Sequence, residues 1–175
     1  MVFYIIGPRT PLFAMVILLA GCSDPEPTGT KVFGGKAYID MPAEFTLMSK
    51  EMLATKYPQA NAPQEAYSVG DGSVSFAFSD TNNAIPEGKL GDVVKMMKTQ
   101  FAAFKPTLEE KDIDGRKAYI LTMDTPAADG TIKNVMLLTT IDGKLAIATF
   151  NSTEALADKY MTVGNNSLLS LKFKK

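Results

Sequence analysis

The sequence predicts an α+β fold, an α/β/α sandwich in which helices cover a central, mainly antiparallel sheet. Two Asp-Gly pairs, Asp114-Gly115 and Asp142-Gly143, each join two apolar runs, which is typical of tight β-hairpins. The runs around these pairs are apolar at both odd and even positions, so the strands need cover on both faces. Another stretch carries apolar residues at helical spacing, which predicts an amphipathic helix.

The chain opens with an export-type segment. Arg9 precedes an apolar stretch, residues 12–19, that is too short to span about 30 Å of hydrocarbon. The segment resembles the signal peptide of bacterial lipoproteins because it ends in a lipobox, namely Leu19, Ala20, Gly21 and Cys22. The resemblance implies that lipoprotein signal peptidase recognises the three residues before Cys22 and cuts there. It also implies that the cysteine then carries acyl chains such as palmitate.

An uncleaved N-terminal anchor is the alternative. It would have to include residues 2–6, but Pro8 and Pro11 interrupt that stretch, and proline disfavours a helix interior. In bacterial lipoproteins, an aspartate directly after the cysteine usually implies retention in the inner membrane. Ser23 stands at that place and Asp24 follows it, so the resemblance implies the outer membrane, with the domain facing the periplasm.

These boundaries divide the chain into three segments. Residues 1–21 are expected to be the signal peptide, and residues 22–31 the lipidated cysteine with a flexible tether of small and polar residues. Residues 32–175 remain for a single domain of ordinary length. The tether between Cys22 and the domain reaches only about 26 Å when extended, so we expect the domain to work close to the bilayer.

The first half of the domain begins with a strand and a short helix. A strand at residues 36–40 ends at Pro42. Ser49 is expected to cap a helix that runs through Ala54.

A hairpin and two loops follow. Residues 67–69 and 73–78 flank a glycine-rich turn and predict two paired strands. Residues 57–65 and 80–87 are the longest irregular stretches, and loops on a rigid scaffold often carry recognition.

The central helix is predicted from residue 90, and Pro106 closes it. Its apolar residues form one stripe, Leu90, Val93, Val94, Met97, Phe101 and Phe104. Phe101 continues the stripe and is therefore expected to be buried between the helix and the sheet, whereas Lys98 lies on the opposite face.

The second half of the domain is a meander that ends in a helix and a strand. The meander strands are predicted at residues 108–113, 116–123, 132–141 and 144–150. Asn151, with Glu154 three residues later, resembles a capping box and predicts that the second helix opens there. Residues 168–173 are expected to form the last strand.

The order of these elements resembles the PsbP-like fold, including bacterial DcrB-like lipoproteins. The resemblance rests on a first strand ending in Pro42, a central helix, the meander with Asp-Gly turns, and a final helix running into residues 170–173. It covers about residues 32–175 and implies an α/β/α sandwich. Members of that group are mostly binding, assembly or chaperone-like proteins without a common active site, so it implies no functional residues.

Charge and composition exclude several classes of function. The chain has 18 Lys+Arg against 19 Asp+Glu, so no basic field attracts nucleic acid as a partner. It has no histidine, which removes the commonest general base, the commonest metal ligand and every triad built on imidazole. Its single cysteine excludes an intramolecular disulfide.

No pattern in the sequence predicts a catalytic residue, a cofactor or a metal site. Four residues imitate the start of a calcium loop, namely Glu110, Asp112, Asp114 and Gly115. Leu121 stands where that loop needs a bidentate carboxylate, so the run is interpreted as a charged edge before a turn.

Two methionine pairs raise a different possibility. Met48 with Met52, and Met96 with Met97, are interpreted as core filling rather than as soft copper ligands. A Met-lined groove would also suit an adaptable binding surface.

The sequence therefore favours a lipid-anchored, non-enzymatic module that binds a protein or peptide partner in the envelope, attached to the membrane through lipid on Cys22. One alternative is a carrier of a small apolar ligand, which a deep apolar pocket would favour. Another is a histidine-free hydrolase, which clustered buried carboxylates with raised pKa values would favour. A solid core without such a pocket would favour the binding module.

Overall fold

The structure, a computed structural model, describes residues 26–58, 62–86, 88–128 and 130–174, and the lipobox lies outside these ranges. The strands of the described part are β1 (Thr30–Val32), β2 (Ala37–Ile39), β3 (Thr46–Leu47), β4 (Glu65–Val69), β5 (Val74–Ala84), β6 (Thr107–Ile113), β7 (Arg116–Ala127), β8 (Gly130–Ile141), β9 (Lys144–Thr153) and β10 (Lys172–Phe173). Its helices are α1 (Lys50–Lys56), α2 (Leu90–Gln100) and α3 (Glu154–Leu169), with a 3₁₀ turn at Ala102–Phe104. Within the described ranges, no helix has the length and apolar character needed to cross a membrane.

Seven strands form the central antiparallel sheet, in the order β3-β4-β5-β9-β8-β7-β6, and β1, β2 and β10 form a small sheet with β2 in the middle. The small sheet and α3 pack on one face of the central sheet, where Phe76, Phe150 and Leu168 are buried together. The other face is covered by α1 and by α2, whose Val94 packs against Leu121. The predicted α/β/α sandwich is therefore confirmed.

Both Asp-Gly turns form as predicted. Asp114 and Gly115 have φ angles of 52° and 75°, and Asp142 and Gly143 have φ angles of 52° and 71°. A two-residue turn of type I′ requires positive φ at both central positions, which Asp-Gly tolerates well. The turns fix the register of β6 with β7 and of β8 with β9.

The helix predictions are confirmed where the pattern is local. Ser49 caps α1 by accepting a hydrogen bond from the amide of Met52 at 3.1 Å. The stripe on α2 buries Val94 against the sheet. Phe101, at the end of α2, is half-buried against the same cluster, whereas Phe104 lies in the 3₁₀ turn and is exposed. The stripe ends at Phe101 because the α-helix ends there.

Two boundaries were predicted wrongly because sheet pairing overrides local sequence preference. β5 runs through Ala84, into the predicted 80–87 loop, because it stays paired with β9. The predicted capping box at Asn151 does not form, since α3 begins at Glu154 and Thr153 is its N-cap. Residues up to Thr153 remain in β9, where β5 and β8 pair with them from both sides.

The chain ends also differ from the prediction. The predicted strand at residues 168–173 shrinks to Lys172–Phe173, because α3 continues through Leu169. β1 includes Thr30 and Lys31, which the sequence analysis assigns to the tether. This short strand was not predicted, because only its pairing with β2 stabilises it.

Candidate binding groove

The two helices on one face of the central sheet leave a stretch of that face open between them. α1 covers the sheet at Ala66 and Ala77, and α2 covers it at Leu121 and Leu138. The space between them is a groove of about 590 Å³, which we call the Met groove. Its lining consists of Ala62, Gln64, Ser79, Asp80, Thr81, Asn82, Asn83, Val93, Met96, Met97, Gln100, Leu145 and Ile147.

The floor of the Met groove is built by β5 and β9. Ser79 pairs with Ile147, but the register shifts between Asp80 and Ala84, so the residues between them bulge out of the ladder. A bulge re-aims side chains, and here it brings Asn82 and Asn83 to the rim of the groove in exposed positions. Their amides can each donate and accept hydrogen bonds. The rim therefore presents exposed hydrogen-bonding groups beside the groove.

Gln64 fixes the segment that enters β4. Its side-chain carbonyl accepts a hydrogen bond from the Asp80 amide at 2.8 Å, and its side-chain amide donates to the Asp80 carbonyl at 3.0 Å. The Gln64 amide group thus imitates a paired strand beside β5. This pairing holds one end of the groove in place.

The helical wall of the Met groove is apolar. Met96 exposes 56% of its surface, while Val93 and Met97 are half-buried against the core below α2. Methionine is unbranched and polarizable, so it adapts to partners of different shape. Single exposed apolar side chains are common on protein surfaces, but Met96 lies with Val93, Met97, Leu145 and Ile147 in the lining of one groove, which another molecule could cover.

The part of the Met groove lining that the structure describes is close to neutral. Asp80 is the single ionisable residue among those described lining residues, and the Nζ atom of Lys36 lies 2.5 Å from the Asp80 carboxylate. The same Nζ atom is 3.1 Å from the carboxylate of Asp142. The hydrogen bond to Asp80, which has the largest effect, and the hydrogen bond to Asp142 raise the pKa of Lys36. Lys36 therefore stays charged and neutralises the charge of Asp80. The groove is therefore suited to an apolar or neutral polar occupant.

A larger depression of about 640 Å³ lies where the end of β2 meets α3, and three of its lining residues already bond to one another. The Ser170 hydroxyl accepts from the Asp40 amide at 2.9 Å and donates to the Ser167 carbonyl at 2.7 Å. The Met groove combines unsatisfied apolar surface with a polar rim, so it is the better candidate for binding.

The structure accounts for the carboxylates that imitate a calcium loop. Asp112 accepts from the Gly115 amide at 2.9 Å, which stabilises the turn between β6 and β7. Asp114 accepts from the Phe173 amide at 2.8 Å, which ties β10 to that turn. Glu110 pairs with Lys117 across the hairpin at 2.8 Å. Each carboxylate therefore serves the fold.

The carboxylate cluster that would favour a hydrolase is not found within residues 26–58, 62–86, 88–128 and 130–174. No three His, Cys, Asp or Glu side chains come together there. Burial raises the pKa of Glu65, but its carboxylate faces backbone amides, with the Gly34 nitrogen at 3.4 Å, and not a second acid. Glu65 thus stabilises the turn between β1 and β2.

The Met groove brings together features that the sequence analysis treated separately. Described parts of both predicted recognition stretches, 57–65 and 80–87, lie opposite the Met96–Met97 pair. Met48 and Met52 instead pack with α1, away from the groove. Sequence analysis missed Leu145 and Ile147, because an apolar residue in a strand gives no sign of whether a helix covers it. The predicted processing and lipid-attachment residues, Leu19 to Cys22, lie outside the described residues.

Neither a protein-family model nor a curated protein matches the sequence. Solved structures do match. The cyanobacterial PsbP of Synechocystis aligns with a TM-score of 0.57 at 16% identity, covering 89% of this chain and 99% of that one. A protein of unknown function from Pseudomonas aeruginosa aligns with a TM-score of 0.51 at 14% identity, over 75% of this chain and 83% of that one.

A third match, a protein from Bacteroides thetaiotaomicron, has a TM-score of 0.52 at 9% identity and covers 83% of this chain. This chain spans 48% of that protein. At such identities the likeness shows the fold alone, and the fold is the PsbP-like sandwich that the order of elements predicted.

Proposed function

From this PsbP-like fold and its groove with an apolar helical wall and a polar rim, we propose that the chain is a non-enzymatic binding module of the cell envelope, anchored by lipid on Cys22. Its Met groove receives an apolar segment of a protein partner. The observation that carries the proposal is Met96, which is 56% exposed on a groove wall whose lining is close to neutral. Covering Met96 would remove apolar surface from water, and such burial is favourable by about 25 cal/mol for each Å².

An extended segment of a protein fits the groove better than a small enclosed ligand. The volume of about 590 Å³ suits either occupant, since small-molecule sites range from about 300 to 1,000 Å³. Small-molecule sites, however, bury most of the ligand surface, and the exposure of Met96 leaves this groove open on one side. The exposed amides of Asn82 and Asn83 add hydrogen-bonding groups suited to a peptide backbone.

Site-specific crosslinking in intact membranes tests the groove. A photoreactive residue at position 96 should crosslink to a protein, whereas one at position 98 should not, because Lys98 is exposed on the same helix outside the lining. A synthetic peptide of the crosslinked segment should then bind the purified domain. Met96→Glu should weaken that binding about tenfold or more, because a buried carboxylate would lack a partner.

Lys98→Glu is the matched control, and it should leave peptide binding unchanged. Equal crosslinking from positions 96 and 98 would contradict the Met groove as the binding site of the partner. The second candidate function, a carrier of a small apolar ligand, can be tested by native mass spectrometry of the purified domain. A small molecule that stays bound to the parent domain and is lost in Met96→Glu would favour that function instead.

The lipid anchor has its own test. Cys22→Ser should block lipidation and processing, leaving a full-length precursor. A chain whose residues 1–22 are replaced by an ordinary cleavable export signal should be released as a folded periplasmic protein. One acyl chain binds a membrane only marginally, while two or more hold stably, so the lipid alone suffices for attachment. Sedimentation of the replaced chain with membranes in high salt would show that the domain carries an anchor of its own.

A further inference from the structure

The outer face of the small sheet, which points away from the central sheet, carries lysines. Lys31 of β1 and Lys172 of β10 both lie opposite Tyr38 of β2 in the strand register. Both lysines are exposed, as is Lys174 two residues later. Ala37 and Ile39 of β2 point the other way and are buried in the core. Tyr38 is also buried, with the Nζ atom of Lys31 5.7 Å from its ring centroid, so the exposed groups of the outer face are the lysines.

Glu26 lies over the middle of this outer face. Its carboxylate is 3.4 Å from the Nζ atom of Lys31 and 3.4 Å from the Nζ atom of Lys174. These lysines belong to segments on either side of β2, so the Glu26 side chain bridges across the central strand. The described chain therefore starts over the outer face itself.

This starting point restricts how the domain can sit on a membrane. Four residues lead from Cys22 to Glu26, and such a segment reaches about 14 Å at most. If Cys22 carries the lipid, the outer face of the small sheet is the part of the domain held nearest to the bilayer. The tether is therefore shorter than the ten residues predicted from the sequence, because Glu26 already contacts the domain through Lys31 and Lys174.

We propose that the outer face of the small sheet is the membrane-facing surface of the domain, and that Lys172 and Lys174 contact the phosphates of phospholipid headgroups there. The inference rests on the proposed lipidation of Cys22. Among the residues that the structure describes, the charges on this face are Lys31, Lys172 and Lys174, with Glu26 between them and Asp40 at the end of β2. Among the ion pairs of the described residues, none involves Lys172, so its charge is available to a headgroup.

The Met groove then faces away from the membrane. The small sheet and the Met groove lie on opposite faces of the central sheet. Packed layers are about 10 Å apart, so α2 stands about 20 Å further from the bilayer than the small sheet does. A partner could therefore reach the groove from the periplasm without displacing the lipid anchor.

Fluorescence quenching on vesicles tests this orientation with the lipidated, processed protein. The chain has one cysteine, and lipid blocks its thiol, so a second cysteine takes a fluorescent label selectively. Lys172→Cys places the label on the proposed membrane face and leaves Lys174 there to contact headgroups, and Lys98→Cys places the label on α2. The vesicles contain phosphatidylethanolamine, phosphatidylglycerol and a lipid with a nitroxide on its headgroup, which quenches on near contact.

The label at position 172 should be quenched several-fold more than the label at position 98. Glu26→Ala, which frees the start of the chain, should reduce that difference, and neutral phosphatidylcholine in place of phosphatidylglycerol should reduce quenching at position 172. If the protein floats with the vesicles but the label at position 172 is quenched no more than the label at position 98, the proposed orientation is wrong and the lipid anchor is unaffected. Protein that does not float, and takes label at Cys22, overturns the lipid anchor and the orientation with it.

Discussion

Gly164→Ala should destabilise the domain, because α3 approaches the sheet most closely at this residue. A Cβ atom at position 164 would lie 2.3 to 2.4 Å from three ring carbons of Phe150. Ordinary carbon contacts are about 3.5 to 4.0 Å, so the overlap exceeds about 1 Å at each of these atoms. Phe150 is fully buried and its ring centroid is 4.8 Å from that of Phe76, so the ring has little room to move.

The size of the effect follows from two opposing terms. Overpacking a core costs about 1 to 3 kcal/mol, and contact with three ring atoms places this site near the upper end. Replacing glycine by alanine inside a helix returns about 1 kcal/mol. The net loss should be about 2 kcal/mol, which for a domain of this size lowers the melting temperature by about 4 to 8 °C.

Gly91→Ala provides the matched control, since Gly91 is also helical. Its Cβ would lie 2.7 Å from the hydroxyl of Tyr119, which is the far end of a half-exposed side chain that can swing aside. The gain of about 1 kcal/mol in helix propensity applies there too and the shift of Tyr119 opposes it, so that variant should be as stable as the parent or up to about 1 kcal/mol more stable in thermal or denaturant unfolding. Equal losses at positions 91 and 164, or a stabilised Gly164→Ala, would refute the close packing of α3. Phe150→Leu should reduce the cost of Gly164→Ala, because the two sites are coupled.

Three further predictions concern packing, pH and metals. Phe101→Ala should lower the free energy of unfolding by about 1 to 3 kcal/mol, which is less than the roughly 3 to 5 kcal/mol lost when a fully buried phenylalanine is replaced by alanine. Lys98→Ala should change it by less than about 0.5 kcal/mol in the same denaturant unfolding experiment. Equal losses from the two variants would mean that the face of α2 is misassigned. Burial raises the pKa of Glu65 above its ordinary value, so folding favours the protonated carboxyl, and the stability it contributes at low pH is lost as pH rises through the folded-state pKa. Glu65→Gln keeps an acceptor for the Gly34 amide. The melting temperature of this variant minus that of the parent should therefore increase as pH is raised. A difference that stays constant with pH would contradict the raised pKa of Glu65. A chelator should leave the melting temperature of the mature domain unchanged, and a rise of several degrees on adding calcium or copper would count against a metal-free domain.

Local features of the fold could be predicted from the sequence because neighbouring residues determine them. The Asp-Gly turns require positive φ angles that these residue types tolerate, and both formed. The stripe on α2 and the cap at Ser49 depend on spacings of three or four residues, and both were confirmed up to Phe101. The order of these local elements was enough to indicate the PsbP-like sandwich.

Features that depend on strand pairing were missed. The sequence at Asn151 favours a helix cap, but hydrogen bonds from β5 and β8 hold it in a strand. β1 has no strand pattern of its own and exists through its pairing with β2. The energy of a sheet ladder comes from residues distant in sequence, so local preference cannot reveal it.

From the sequence alone, the fold class and the absence of histidine chemistry followed, and the lipobox remains a prediction. The position of the candidate site followed only from the tertiary structure. The Met groove combines residues near positions 62–64, 79–83, 93–100 and 145–147, which come together only when β5 pairs with β9 and α2 packs beside them. The sequence marks Met96 and Ile147 equally as apolar, but whether such surface is buried or left open depends on how far each helix extends over the sheet, and that is a property of packing.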